Sequence, residues 1–302
     1  MNGLVVMAYG TPASPDDIEA YYTDIRRGRP PQPEQLADLT RRYEAIGGTS
    51  PLAAITAAQR DALQAALDDQ GPGEWLVAVG TKHAAPSIES AVEELTGRGA
   101  QRLVGLVLAP HYSSMSVGQY HGRARAAADG AGVPFVAVDS WALEPAYVEF
   151  LVGEVRQRMA VLPDNTKVLF TAHSLPQRIL AAGDPYPDEV RSTAAAVAAA
   201  SGLAAWAQWS VGWQSAGRTA EPWIGPDILT VIDDLAAAES ADGLLVCPCG
   251  FTADHLEVLY DLDIEARARA EERGLTFDRT ASMNADPTVL RALARLVMEA
   301  AA

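Results

Sequence analysis

Short apolar runs punctuate the chain at residues 3–8, 75–80, 103–108, 134–138, 167–171, 207–211 and 244–247. Most are rich in Val and Leu, and Gly, Pro or small polar residues close them. Runs of this length without strict alternation predict strands buried on both faces. Helical segments separate them. Ser14-Pro15-Asp16-Asp17 combines an N-cap, Pro at the first helical position and early acids. That helix carries Ile18, Tyr21, Tyr22 and Ile25 and stops in the Arg- and Pro-rich stretch 26–31. Further helices are predicted over 33–43, 51–67, 87–96, around Tyr120 and His121, over 144–159, around 184–187, over 188–200 and after Asp227. Strand–helix alternation of this kind is parallel α/β architecture.

The pattern then repeats. Ala8-Tyr9-Gly10-Thr11-Pro12 parallels Ala172-His173-Ser174-Leu175-Pro176, and Val79-Gly80 parallels Val211-Gly212. Residues 244–248 are likewise matched with 106–110. The chain reads as two copies of one α/β unit, with domains at 1–143 and 144–302 and a last helix free to pack back on the first domain. In parallel sheets, ligands bind at the C-terminal strand ends. Tyr9 and His173 stand at such ends as equivalent positions, expected to face each other from the two domains. Neither half carries a glycine-rich dinucleotide fingerprint or a phosphate loop.

One helical stretch, beginning near His255 behind Asp254, changes the picture. Glu257, Asp261 and Glu265 recur every four residues, about 6 Å apart in rise, on one helix face. Such a row is either a solvated acidic face or a half-buried one visited by a cation. Phe251, Leu256, Val258, Leu259, Tyr260 and Leu262 bracket it, which favours partial burial. Because α-helical positions drift about 40° per four residues, a straight row predicts a π turn here.

Charge narrows the partners. Lys and Arg number 23 against 39 Asp and Glu, a net charge of −16, which argues against nucleic acid and anionic membranes. No apolar run reaches the roughly 20 residues of a membrane span. The N-terminus lacks a basic leader, so a cytoplasmic protein is expected. Only Cys247 and Cys249 are present, too few for a disulfide framework or, alone, an iron–sulfur cluster. Against this acidic background Arg26, Arg27, Arg29 and Arg42 gather near Tyr43 and Ser50. Such a group suits a ligand bearing several carboxylates, which arginine grips with two parallel hydrogen bonds.

The chain resembles the ferrochelatases. MAYGTP at 7–12, the stretch from Tyr21-Tyr22 to Arg29, RYEAIGGTSPL at 42–52, TAHSLP at 171–176, GDPYP at 183–187, VGWQS at 211–215, EPWIGPD at 221–227 and GFTADHLEVLYDLDIEA at 250–266 carry the resemblance in order. It is strongest to the bacterial cytosolic branch that metallates coproporphyrin III. The resemblance implies two similar Rossmann-like domains, each a parallel sheet flanked by helices, with a porphyrin cleft between them. It implies Fe²⁺ as substrate and no tightly bound cofactor. His173 would be catalytic, as metal ligand or proton acceptor, with Glu257 its carboxylate partner. Asp261 and Glu265 would serve metal entry or proton exit. Tyr9 would ligate iron from the other side. Arg26, Arg42, Tyr43, Ser50 and Tyr120 match propionate-holding positions. Trp213 would flank the macrocycle, a core role being the alternative; Lys82 and His83 would form a peripheral metal site. A monomer meeting coproporphyrin III, ferrous iron and, transiently, a coproheme decarboxylase is implied. Alternatives are a protoporphyrin IX ferrochelatase, another tetrapyrrole chelatase, or a haem-binding protein without turnover. The chain departs from some relatives: the cysteine set for an iron–sulfur cluster is missing, and residues 13–32 are polar where membrane-bound relatives carry an apolar lip. The run Trp206-Ala207-Gln208-Trp209 matches no motif.

Overall fold

A computed structural model describes residues 1–205, 207–217 and 219–302, so Trp206 lies outside the described residues. Two compact units emerge. The first comprises Met1–Trp141, Ala253–Leu256 and Asn284–Ala302; the second comprises Ala142–Thr252 and Glu257–Met283.

In the first unit β1 (Asn2–Ala8), β2 (Trp75–Thr81), β3 (Arg102–Val107) and β4 (Phe135–Val138) form a parallel sheet of order β2-β1-β3-β4. In the second, β5 (Thr166–His173), β6 (Trp209–Gln214), β7 (Gly243–Cys247) and β8 (Thr276–Arg279) form a parallel sheet of order β6-β5-β7-β8. The topologies are identical, so the α/β fold of two similar domains stands.

Residues Leu4 to Met7 of β1 are fully buried, as are Leu244 to Cys247 of β7. That accounts for their unbroken apolar character. Val5, Met7, Leu103, Ile88, Val92 and Leu95 share one core. Leu169, Leu244, Val246, Ile232, Val258 and Leu262 share another. Gly80 is required by close packing: a Cβ there would lie 2.6 Å from the Ile88 Cα. Helix Pro287–Ala301 belongs to the first unit, packing on helix Leu52–Asp68 and on β3 and β4. Asp286 caps it, accepting the Thr288 and Val289 amides at 2.9 Å.

Sheet register tests the internal repeat. Met7 pairs with Gly80 and Ala8 with Thr81; Thr171 pairs with Gly212 and Ala172 with Trp213. Tyr9 and His173 therefore occupy equivalent positions. The third strands align differently from the sequence match. Val6 pairs with Leu106, and its counterpart Phe170 with Cys247, so Leu106 rather than Ala109 is the equivalent of Cys247. Proline placement in the following loops misled the sequence alignment.

Three further differences have local causes. The strand expected at 167–171 continues to His173, because Ala172 and His173 find ladder partners in Trp213 and Gln214. The strand expected at 207–211 accordingly lies at Trp209–Gln214. β8 has no counterpart in the apolar pattern, since only Phe277 of Thr276–Arg279 is apolar. Asp278 and Arg279 are engaged instead by Arg158 and Asp263, in ion pairs of 3.2 and 2.6 Å.

Candidate active site

The second unit concentrates polar groups at the C-terminal ends of β5 and β6. His173 is the last residue of β5. Its carbonyl accepts the Tyr186 hydroxyl at 2.9 Å, and its Nδ1 lies 2.5 Å from the Ser174 carbonyl. A carbonyl only accepts, so Nδ1 carries a proton and donates it. Nε2 is thereby aimed at Glu257, 3.4 Å from Oε1. The loop after His173 is pinned as well: the Ser174 hydroxyl donates to the Ile224 carbonyl at 2.7 Å.

Glu257 is held through its backbone. Its carbonyl accepts the Gln214 amide nitrogen at 3.1 Å, while the Gln214 amide oxygen accepts the Thr171 hydroxyl at 2.8 Å. Gln214 and Thr171 are fully buried, so this small network has one arrangement. The acidic helix begins as Leu256–Leu259 and passes into a π turn over Asp261–Ala266, with the Glu265 amide donating to the Tyr260 carbonyl at 2.9 Å. The expected π turn is present. Asp261 is buried and accepts the Ser215 hydroxyl at 2.5 Å. Glu265 lies in the same turn, partly buried.

Electrostatics couple these groups. Burial disfavours the charged His173 imidazole, but the Glu257 carboxylate, the Ser174 carbonyl and Asp261 outweigh it and raise its pKa to about 9. At neutral pH the pair rests as imidazolium against carboxylate. That pairing stabilises the fold fully below pH 6.5 and progressively less as pH rises through 9. In Glu257→Gln the largest raising influence is removed, and we expect NMR titration of the His173 imidazole to give a pKa well below the paired value of about 9.

The first unit places Tyr9 just beyond β1, 42% exposed, with its ring edge-on to His83 at 4.7 Å and to Tyr21 at 6.5 Å. His83 Nδ1 lies 2.7 Å from Asp24. Lys82 sits over the Tyr120 ring at 5.1 Å and donates to Gln119 at 2.8 Å. Burial, with Arg123 and Arg27 nearby, lowers the Lys82 pKa to about 8.

The residues expected to hold propionates have varied surroundings. Arg26 lies over the Tyr22 ring at 5.7 Å, and Arg42 pairs with Asp38 at 3.1 Å. Tyr43, Ser50 and Tyr120 are buried. The Tyr43 and Thr11 hydroxyls are 3.3 Å apart, and the Ser50 hydroxyl accepts the Leu52 amide at 3.2 Å. Trp213 is 2% exposed and packs on Tyr186 at 5.7 Å, a core position.

Against known families, the Ferrochelatase model matches residues 1–301. The chain belongs to the ferrochelatase family. It is 45% identical over 301 residues to a coproporphyrin III ferrochelatase of Halalkalibacterium halodurans, covering 98% of this chain and 96% of that one. It is 43% identical over 303 residues to the coproporphyrin III ferrochelatase of Bacillus subtilis, covering 98% and 97%. Among solved structures it shares its fold with SirB from Bacillus subtilis with Fe³⁺, at a TM-score of 0.59 and 13% identity, covering 100% of this chain and 96% of that one. CbiX, the terminal enzyme for biosynthesis of siroheme in denitrifying bacteria, gives 0.56 and 14%, covering 99% of each.

Within this ferrochelatase-family chain, sequence reasoning passed over several site residues. Gln214 and Ser215 lie in the VGWQS motif, and their hydrogen-bonding side chains at a strand end were the available signal. Tyr186 and Asp263 lie in the GDPYP and GFTADHLEVLYDLDIEA motifs, but Arg279 carried no signal, and the partners of all three are set by tertiary packing. Cys247 and Cys249 are buried, and burial pushes the Cys247 thiol up to about 12 and that of Cys249 well above its usual range. Thiols so protonated are poor ligands and nucleophiles. Among the described residues, no helix is long and apolar enough to cross a membrane.

Proposed function

We propose that this chain inserts Fe²⁺ into coproporphyrin III, forming the iron porphyrin and releasing the two pyrrole protons. The observation that carries the reading is the His173–Glu257 pair, with Nε2 aimed at the carboxylate from a strand end and Asp261 behind it. Names of relatives at 42–45% identity over nearly the whole chain support the same substrate.

The chemistry follows from the charge state. With the imidazole protonated at neutral pH, Glu257 is the first acceptor for a pyrrole proton. Asp261 and Glu265 continue the row of carboxylates along which protons leave or iron arrives. Once the Nε2 proton of the imidazolium has followed through Glu257 along that row to solvent, Nε2 becomes a nitrogen donor for iron beside a carboxylate oxygen, a reasonable set for Fe²⁺. Tyr9, just beyond β1, offers a phenolic oxygen suited to iron. Lys82 and His83, beside Tyr9, border that site. Arg26 and Arg42 bind propionates through their guanidinium forks, while Tyr43, Ser50 and Tyr120, being buried, shape the wall. Trp213 backs Tyr186 instead of touching the ring. Remote propionate contacts supply the binding energy that bends the macrocycle toward its metallated geometry. The enzyme works as a cytoplasmic monomer without a resident cofactor, passing its product to a decarboxylase.

The test is anaerobic mixing with Fe²⁺ and either coproporphyrin III or protoporphyrin IX, followed by visible spectroscopy. The four-propionate ring should be metallated faster. Equal rates on both rings would remove the ring preference, and no metalloporphyrin from either would sink the reading.

A further inference from the structure

The acidic helix contains a fourth carboxylate, Asp263, outside the four-residue row, and its partner lies on the edge strand absent from the apolar pattern. Arg279 of β8 grips Asp263 with two nitrogens, Nε to Oδ1 at 2.6 Å and Nη2 to Oδ2 at 2.8 Å, and gives its remaining Nη1 to the Thr280 carbonyl at 3.1 Å. The fork is largely buried, with the Arg279 side chain 13% exposed. Bidentate charged pairing of this kind fixes orientation as well as position. Asp263 sits inside the π turn, two residues after Asp261 and two before Glu265. In that turn the Tyr260 carbonyl accepts the Glu265 amide at 2.9 Å as well as the Ile264 amide at 3.3 Å. Isolated π geometry is rare, and tertiary contacts must hold it.

We propose that Arg279 is a positioning residue for metallation, clamping Asp263 so that the π turn keeps Asp261 on Ser215 and the carboxylate row in line with Glu257. Without the fork, the turn loses the tertiary contact that holds its π geometry, and an Asp263 left charged adds a third uncompensated negative charge beside Asp261 and Glu265. The segment then gains by relaxing to α geometry, which rotates Asp261 away from the Ser215 hydroxyl that it now accepts at 2.5 Å. β8 itself is tied down independently of Asp263. Arg158 donates to Asp278 at 3.2 Å, and Arg267 donates to the Phe277 carbonyl at 3.0 Å while lying over the Phe277 ring at 5.1 Å. The strand thus remains a fixed anchor when the clamp is cut.

The kinetic part of the test rests on the proposed reaction, whereas the structural part does not. In Arg279→Met, hydrogen–deuterium exchange over residues 260–266 should speed up about tenfold or more, with β5 and β7 unchanged. Arg279→Lys, which keeps the charge but not the fork, should lie between. The KM for Fe²⁺ should rise about tenfold to a hundredfold, as for other outer partners of metal-binding groups, with the KM for coproporphyrin III unchanged. The double variant Asp263→Asn/Arg279→Met leaves no charge unpaired and folds with the wild-type Tm. It should retain the fast exchange and the raised KM, which a merely charge-balancing role would not predict. Wild-type exchange and iron kinetics in the double variant would overturn the proposal. If the wild type metallates neither ring, the proposed reaction falls, and the exchange measurement alone decides the clamp.

Discussion

His173→Ala should lower kcat for iron insertion by about 10²- to 10⁴-fold, the range for losing a group that takes part in proton transfer, while coproporphyrin III still binds. The variant loses the stabilising ion pair to Glu257 but folds because the backbone contacts of His173 are kept. Its ladder pairing with Gln214 and its carbonyl's acceptance of the Tyr186 hydroxyl survive the truncation. What disappears is Nε2, 3.4 Å from Glu257, and with it the positive charge that faces that carboxylate at neutral pH. Glu257 alone then presents a partly buried negative charge. Iron still has an attractive partner there, but the nitrogen donor that the proposed reaction uses is gone. Initial rates by visible spectroscopy and porphyrin affinity by fluorescence quenching separate the two effects. A wild-type rate would exclude His173 from the chemistry.

Gly250→Ala should damage both stability and turnover, although position 250 carries no chemistry. The Gly250 amide donates to the Thr171 carbonyl at 3.0 Å. A Cβ added there would lie 2.4 Å from the Ala172 Cβ and 2.7 Å from its Cα. The obstacle is backbone, so the end of β5 must move. Overpacking of this kind costs about 1–3 kcal/mol. For a chain of this size each kcal/mol lowers Tm by roughly 2 °C. The displaced residue precedes His173, and a shift on the order of 1 Å in a reacting group costs about a hundredfold in rate. Gly122→Ala is the control, since nothing lies within 4 Å of a Cβ at that helical site. Thermal denaturation and kcat measured together check the prediction, and an unchanged Tm with unchanged kcat would refute the close approach.

The parts that were legible in the sequence share a physical cause. Strands buried on both faces need unbroken apolar residues, so most were visible as runs, and their repetition revealed two equivalent sheets. The π turn was legible because Glu257, Asp261 and Glu265 keep a spacing that an α-helix would skew. β8 was illegible because Asp278 and Arg279 are satisfied by ion pairs, which leave no hydrophobic trace. The last residues of β5 and β6 were misplaced because pairing between Ala172–Trp213 and His173–Gln214 is set by a neighbouring strand about 40 positions away. Tyr43, Ser50 and Tyr120, which match propionate-holding positions, are each buried in the first unit, a burial that the sequence pattern did not show.

By itself, then, the sequence determined the family, the duplicated α/β plan and the His173, Glu257 and Asp261 candidates, since each depends on local composition or on fixed spacing along one element. Only the tertiary structure decided which atoms of those residues meet. The tautomer imposed on His173 by Ser174, the anchoring of Glu257 through Gln214 and the fork of Arg279 on Asp263 all join residues on different elements, or depend on how one element ends. Such contacts leave no period in the sequence, because they are chosen by packing and by the need to satisfy buried polar groups.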